Sequence, residues 1–167
     1  MQNSSDLEQW LVQVSGPEWV WLAKRLSAND TGATGGHQVG IYVPLLVAFH
    51  IAPDLENAVW NPKKQFLLYL RSHDQESEPI LTYYNNKILG LGTRNECRLT
   101  RLGGHGSALQ DPVNAGAALL LAFNRNHSEA EGWLARNREE TARLIQALGR
   151  DLPAGIVVTR EPDVGEN

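Results

Sequence analysis

Three ionic side chains at strand spacing carry the most suggestive chemistry in this sequence. Arg94, Glu96 and Arg98, followed by Thr100, occupy alternate positions of RNECRLTR. In an extended strand such residues share one face, ~6.5–7 Å apart. Two guanidinium forks flanking a carboxylate present donors and an acceptor in a row. A polyanion could bind there. The same pattern suits a solvated edge strand with cross-strand ion pairs, and the residues alone leave both readings open. Asn95, Cys97, Leu99 and Arg101 form the opposite face. A second polar run, SANDTGATGG at 27–36, consists of turn formers and follows Lys24 and Arg25.

Catalytic and cofactor chemistry finds no complete set. TGATGG lacks the Lys-Ser/Thr ending of a P-loop and the spacing of a dinucleotide turn. GGHGS has misplaced glycines for a nucleophile elbow, so Ser107 reads as a turn residue. His37, His50, His73, His105 and His127 are scattered without metal-ligand spacing. A metal-dependent nuclease would need clustered carboxylates and a lysine. Pro53-Asp54 is followed only by Glu96-Cys97-Arg98, and arginine cannot serve as a general base. Cys97 is isolated.

Composition supports a globular chain. Its 167 residues are 42% apolar and 20% charged, with net charge −4. This balance argues against a disordered chain and a uniformly basic nucleic-acid coat, while permitting local basic segments. Between Lys87 and Arg101 four basic residues face one acid; from Ser128 to Asn167 eight acids face five arginines. One cysteine excludes an internal disulfide framework. No apolar run reaches membrane-spanning length and the N-terminus lacks a signal-peptide pattern, so a soluble, cytoplasmic domain is expected.

The elements that would position these residues follow from periodicity. Ser5-Asp6-Leu7-Glu8 has capping-box form, and Leu7, Trp10, Leu11 and Val14 recur at helical spacing. Strands are expected at 18–26, 37–43, 65–72, 80–84, 94–101, 116–123 and 155–159. A short helix is expected at 45–51, and the acidic stretch 74–78 reads as a solvated connection. Ser128-Glu129-Ala130-Glu131 reads as a second capping box, opening a helix over 129–149 with Leu134, Ala135, Ala142, Ile145 and Leu148 toward the core. Trp10, Trp19, Trp21 and Trp60 lie in apolar patterns and are expected in the core. Strands in runs, with long helices near the chain ends, predict a mixed or antiparallel sheet closed or half-closed into a barrel.

Two stretches also carry a family resemblance. KRLSANDTGATGGHQVGIYVP (24–44) and TRNECRLTR with GSALQDPVNAGAALLLAF (93–123) closely resemble the N-terminal effector-binding domain of EcoRII-type restriction endonucleases. The resemblance covers about residues 24–123. It implies an α+β, B3-like fold, a seven-stranded open β-pseudobarrel with flanking helices. It implies one recognition domain over 1–160, with 161–167 a tail or the start of a linker. The function implied is that of a type IIE-like, non-catalytic module binding duplex DNA at 5′-CCWGG from the major groove.

In that reading an N-arm contributes Lys24, Arg25, Ser27, Asn29, Asp30, Thr31, Thr34, Gly35, His37, Gln38 and Tyr42. A C-arm contributes Arg94, Asn95, Glu96, Arg98 and Arg101. Arg94 and Arg98 would donate to guanine O6/N7, and Glu96 and Asp30 would accept from cytosine N4. Asn29, His37 and Gln38 would meet purine edges, and Lys24 and Arg25 phosphates. No cofactor is implied for this domain; Mg²⁺ would serve a covalently linked nuclease domain absent from this sequence. The partners implied are duplex DNA and that nuclease, with no membrane, and the domain would act as a monomer in the bacterial cytoplasm. The sequence departs from the family at Cys97, where a lysine is expected, at Leu102, where a tryptophan is expected, and at His105, near an expected arginine. Competing readings are a self-contained metal-dependent nuclease and a B3-like regulator.

Overall fold

A computed structural model describes residues 4–32, 40–57, 59–104, 106–125 and 128–160. The described elements are α1 (Ser4–Gln13), β1 (Trp19–Arg25), β2 (Ile41–Val43), α2 (Leu45–Ile51), β3 (Lys63–Gln65), β4 (Leu67–Leu70), β5 (Gln75–Ser77), β6 (Ile80–Tyr84), β7 (Glu96–Thr100), β8 (Ala118–Asn124), β9 (Glu129–Leu134), α3 (Arg138–Leu148) and β10 (Val158–Arg160). The strands form two open sheets. One has the order β10-β1-β8-β9-β4-β5 and the other β2-β7-β6-β3. Pairing is antiparallel except between β4 and β9.

Two layers of core explain the arrangement. Between the sheets lie Val20, Leu22, Ile41, Val43, Phe66, Leu81, Cys97, Leu99, Leu119, Leu121 and Phe123. On the far face of the six-stranded sheet, Trp19, Trp21, Ala23, Leu120, Ala122 and Trp133 pack with Leu7, Trp10, Leu11 and Val14 of α1 and Leu144 of α3. β8 is therefore covered on both faces, and all but its last residue are buried. Its unbroken apolar run ALLLAF has that cause. The four-stranded sheet is covered on one face only. β7 alternates inward apolar and outward polar residues: Cys97 and Leu99 are buried and Glu96, Arg98 and Thr100 are half-buried.

The mixed α+β class and open arrangement agree with expectation, but several elements differ. Ten strands occur among the described residues rather than seven. The 65–72 strand is divided: β3 pairs with β6 in one sheet while β4 pairs with β9 in the other, separated by buried Phe66. The acidic connection contains the edge strand β5, paired with β4. β7 is an interior strand, flanked by β2 and β6, not a solvated edge. α1 begins at Ser4, ahead of the expected Ser5 cap, and the last strand begins at Val158. Trp60 is 61% exposed rather than in the core.

The largest correction is at 129–149. Residues 129–134 are a strand, seated between β4 and β8, and helix begins only at Arg138. Two ladders of hydrogen bonds outweigh the local capping signal, and Gly132 disfavours helix there. The helix is capped by Asn137, whose Oδ1 accepts from Glu140 N–H, and closes on Gly149 with φ 73°. Leu134 and Ala135 are buried as expected, but Ala142 is exposed, and the buried helical positions are Glu140 and Leu144. Among the described residues no helix is long and apolar enough to cross a membrane.

Candidate nucleic-acid interface

The outward face of β7 carries Glu96 and Arg98 of the C-arm; the strand starts at Glu96 rather than at the expected Arg94, so Arg94 and Asn95 precede it and Arg101 follows it. Arg98 lies opposite Tyr42 of β2 on one side and Thr82 of β6 on the other, and Thr82 lies opposite Lys63 of β3. Directly opposed residues share a face. Tyr42, Arg98, Thr82 and Lys63 thus form one row across the sheet. Tyr84 lies opposite Glu96 in the next row. Glu96 Oε1 accepts from Arg94 Nη2 at 2.8 Å and Nε at 3.2 Å, and from Arg98 Nε at 3.4 Å. Burial by itself would push the Glu96 carboxyl up. The hydrogen bonds and charges of Arg94 and Arg98 outweigh it and hold the group below the usual carboxylate range. Glu96 is therefore an ionised acceptor at neutral pH. The Arg94 guanidinium carbon sits 3.7 Å from the centroid of the Tyr84 ring.

The core side of the same hairpin braces this row. Tyr83, buried, donates its hydroxyl to Asn95 Oδ1 at 2.7 Å, and Lys87 N–H donates to Arg94 O at 2.9 Å. Arg101 is exposed with φ 61° and leads out of β7 into the glycine-rich segment.

The root of the N-arm is a closed polar turn. Ser27 Oγ accepts from Asp30 N–H at 3.0 Å, while Asp30 Oδ2 accepts from Ser27 N–H at 2.9 Å. This reciprocal pair has capping-box form. Lys24 Nζ lies 2.5 Å from Asp30 Oδ2. Thr31 donates its hydroxyl to Ala28 O at 2.9 Å, and Gly32 N–H reaches Asn29 O at 3.2 Å. Asp30 and Thr31 are buried, Asn29 is half-buried and Ser27 is exposed. Arg25 Nε donates to Leu152 O at 2.7 Å and Nη1 to Gly116 O at 3.3 Å. The structure thus commits Lys24, Arg25 and Asp30 to internal partners, and leaves Ser27 and Asn29 nearer the surface. Thr34, Gly35, His37 and Gln38, and His105 beyond the C-arm, lie outside the described residues. Gly40 packs against the end of β7, where a Cβ would stand 2.9 Å from Thr100 Cγ2.

Sequence reasoning missed Tyr84, Thr82 and Lys63. The alternation of ILTYY places Thr82 and Tyr84 on one face, but only the β6–β7 register puts that face beside Glu96 and Arg98.

The concavities beside α1, α3 and β5 contain none of this row. One of about 690 Å³ lies beside the start of α3 and is lined by Arg25, His73, Arg136 and Arg138 among others. Arg136 is bound there by Glu140, Nη2 to Oε2 at 2.6 Å. Cys97 is buried, and burial pushes its thiol up to about 12, so it is no nucleophile at neutral pH. Among the described residues no group of three or more His, Cys, Asp or Glu is placed to hold a metal ion.

This architecture is that of a B3 domain. The chain aligns with a crystal structure of the UbaLAI restriction endonuclease B3 domain with cognate DNA, with TM-score 0.57 and 20% identity. The alignment covers 95% of this chain and 99% of that one. Residues 15–163 match the family described as restriction endonuclease EcoRII, N-terminal. The chain is also 34% identical over 162 residues to the type II restriction enzyme EcoRII of Escherichia coli, spanning 92% of this chain and 39% of that protein. The chain belongs to the EcoRII N-terminal family, and is a non-catalytic domain of the restriction-endonuclease type.

Proposed function

We propose that this chain is the sequence-specific duplex DNA-binding domain of a type IIE-like restriction endonuclease. It reads 5′-CCWGG with two arms in the major groove and serves as its effector or target-recognition module. The observation that carries this reading is the Arg94–Glu96–Arg98 ion-paired cluster, with Glu96 and Arg98 outward on an interior strand beside Tyr42 and Arg94 just ahead of it. Guanine offers two acceptors in the major groove and cytosine a donor. Arginine forks suit the first and a carboxylate the second. Successive outward residues stand ~6.5–7 Å apart, about twice the ~3.4 Å base-pair rise, so one strand spans a half-site.

Arg94, Glu96 and Arg98 read bases in this proposal, while Tyr42, Asn95 and Arg101 border them. Ser27, Asn29, Thr34, Gly35, His37 and Gln38 are the N-arm contacts. Lys24, Asp30 and Thr31 shape the root of that arm, and Arg25 ties it to the following layer. A linked nuclease domain supplies cleavage and the Mg²⁺ requirement. The domain binds as a monomer and needs no metal for recognition.

Fluorescence anisotropy tests this with a short CCWGG duplex and the same duplex carrying one transposed inner C·G pair. Both are titrated at two salt concentrations in Ca²⁺ or EDTA. Specific recognition predicts a preference of about 10- to 100-fold for this single-pair change, persisting in EDTA. Equal binding of the two duplexes refutes the assignment of the target.

A further inference from the structure

We propose that Tyr84 is a positioning residue for base readout: its ring is the platform that fixes the plane of the Arg94 guanidinium. The inference rests on the DNA-reading role of β7 proposed above. Three observations carry it. Tyr84 and Glu96 are directly opposed across β6 and β7, so both side chains rise from the same face. The Arg94 guanidinium carbon is 3.7 Å from the Tyr84 ring centroid, in cation–π contact. The same guanidinium donates Nε and Nη2 to Glu96 Oε1.

Hydrogen bonds along one edge leave a guanidinium able to swing about that edge. A ring face beneath it removes this freedom. Together they leave the remaining Nη donors pointing in one direction, the fork geometry that guanine O6 and N7 require. An arginine ordered before binding gives up less side-chain freedom on contact. Tyr84 is itself well placed to act as a fixed platform. Its neighbour Tyr83 is anchored in the core by an edge contact with Phe49 at 5.1 Å and by its hydroxyl on Asn95. Tyr84 is only half-buried and lies outside both core clusters, so its truncation spares the core.

The test compares Tyr84→Leu and Tyr84→Phe with the wild type, binding CCWGG and transposed duplexes across a salt series. A platform predicts that Leu loses about tenfold in cognate affinity, with transposed-duplex affinity and salt slope unchanged, and that Phe restores wild-type binding. Wild-type affinity in the Leu variant overturns the proposal. So does a Phe variant as weak as Leu, because the hydroxyl would then be the functional group. A cycle with Arg94→Ala guards against a general structural effect. In that background Tyr84→Leu is expected to cost nothing further, and an undiminished loss there overturns the proposal even if the Leu variant is less stable. Failure of the DNA-reading proposal shows separately, as a wild type that does not distinguish the two duplexes.

Discussion

Replacing Lys24 by methionine separates two physical roles for that residue. The sequence resemblance makes Lys24 a phosphate contact. The structure places its ammonium 2.5 Å from Asp30 Oδ2, with side-chain exposures of 11% and 4%. Methionine keeps most of the stem and removes the charge, leaving Asp30 buried without its counter-ion. Deleting one member of a buried pair costs ~3–5 kcal/mol. Asp30 keeps the Ser27 N–H bond at 2.9 Å in wild type and variant alike, so that bond cancels, and a loss at the low end, about 3 kcal/mol, is expected. For a chain of this size each kcal/mol shifts Tm by ~2–4 °C, so a loss of about 3 kcal/mol lowers it by about 6–12 °C. Thermal unfolding followed by circular dichroism gives the number. The double variant K24M/D30N removes the orphaned charge but keeps an acceptor for Ser27, and is expected to recover more than half of the loss. The salt dependence of binding is the companion measurement. A phosphate contact would lower the slope by about one unit and leave Tm alone. An unchanged Tm with a reduced slope refutes the brace.

Further expectations concern the reading strand, the helix cap and the thiol. Arg98→Ala is expected to weaken cognate binding by ~1–3 kcal/mol, read by anisotropy; unchanged affinity removes β7 from the interface. Glu140 is buried, yet hydrogen bonds from Arg136 and Trp133 hold its carboxyl below the usual range. Its stabilising contribution is therefore complete above the unfolded-state value, ~4.3, and is lost as pH falls through the lower folded value. Glu140→Gln should cost about 2–4 kcal/mol at neutral pH and flatten the acid limb of stability against pH; an acid limb identical to wild type contradicts the account. Cys97, with its thiol raised to about 12 and fully buried, should react with a disulfide reagent at pH 8 only when the chain unfolds. Rapid labelling of the folded protein contradicts the packing described for β7.

Part of this molecule was legible from local pattern. The alternation of RNECRLTR placed Glu96, Arg98 and Thr100 on one face before any fold was known, because the strand period is two. The apolar run ALLLAF required burial on both sides, and the helical spacing of Leu7, Trp10, Leu11 and Val14 required a covered helix face. Such features depend on backbone geometry that each segment carries with it. What the tertiary structure decided are the features that depend on a partner distant in the chain. Ser128–Glu131 looked like a helix start, and became a strand because β4 and β8 both offered it a ladder. Lys24 and Asp30 carry no local sign of each other, and form an ion pair because the turn closes back on β1. Tyr84 carried no local signal, and met Arg94 because β6 and β7 pair in one register. A one-residue slip of that register would turn the tyrosine into the core.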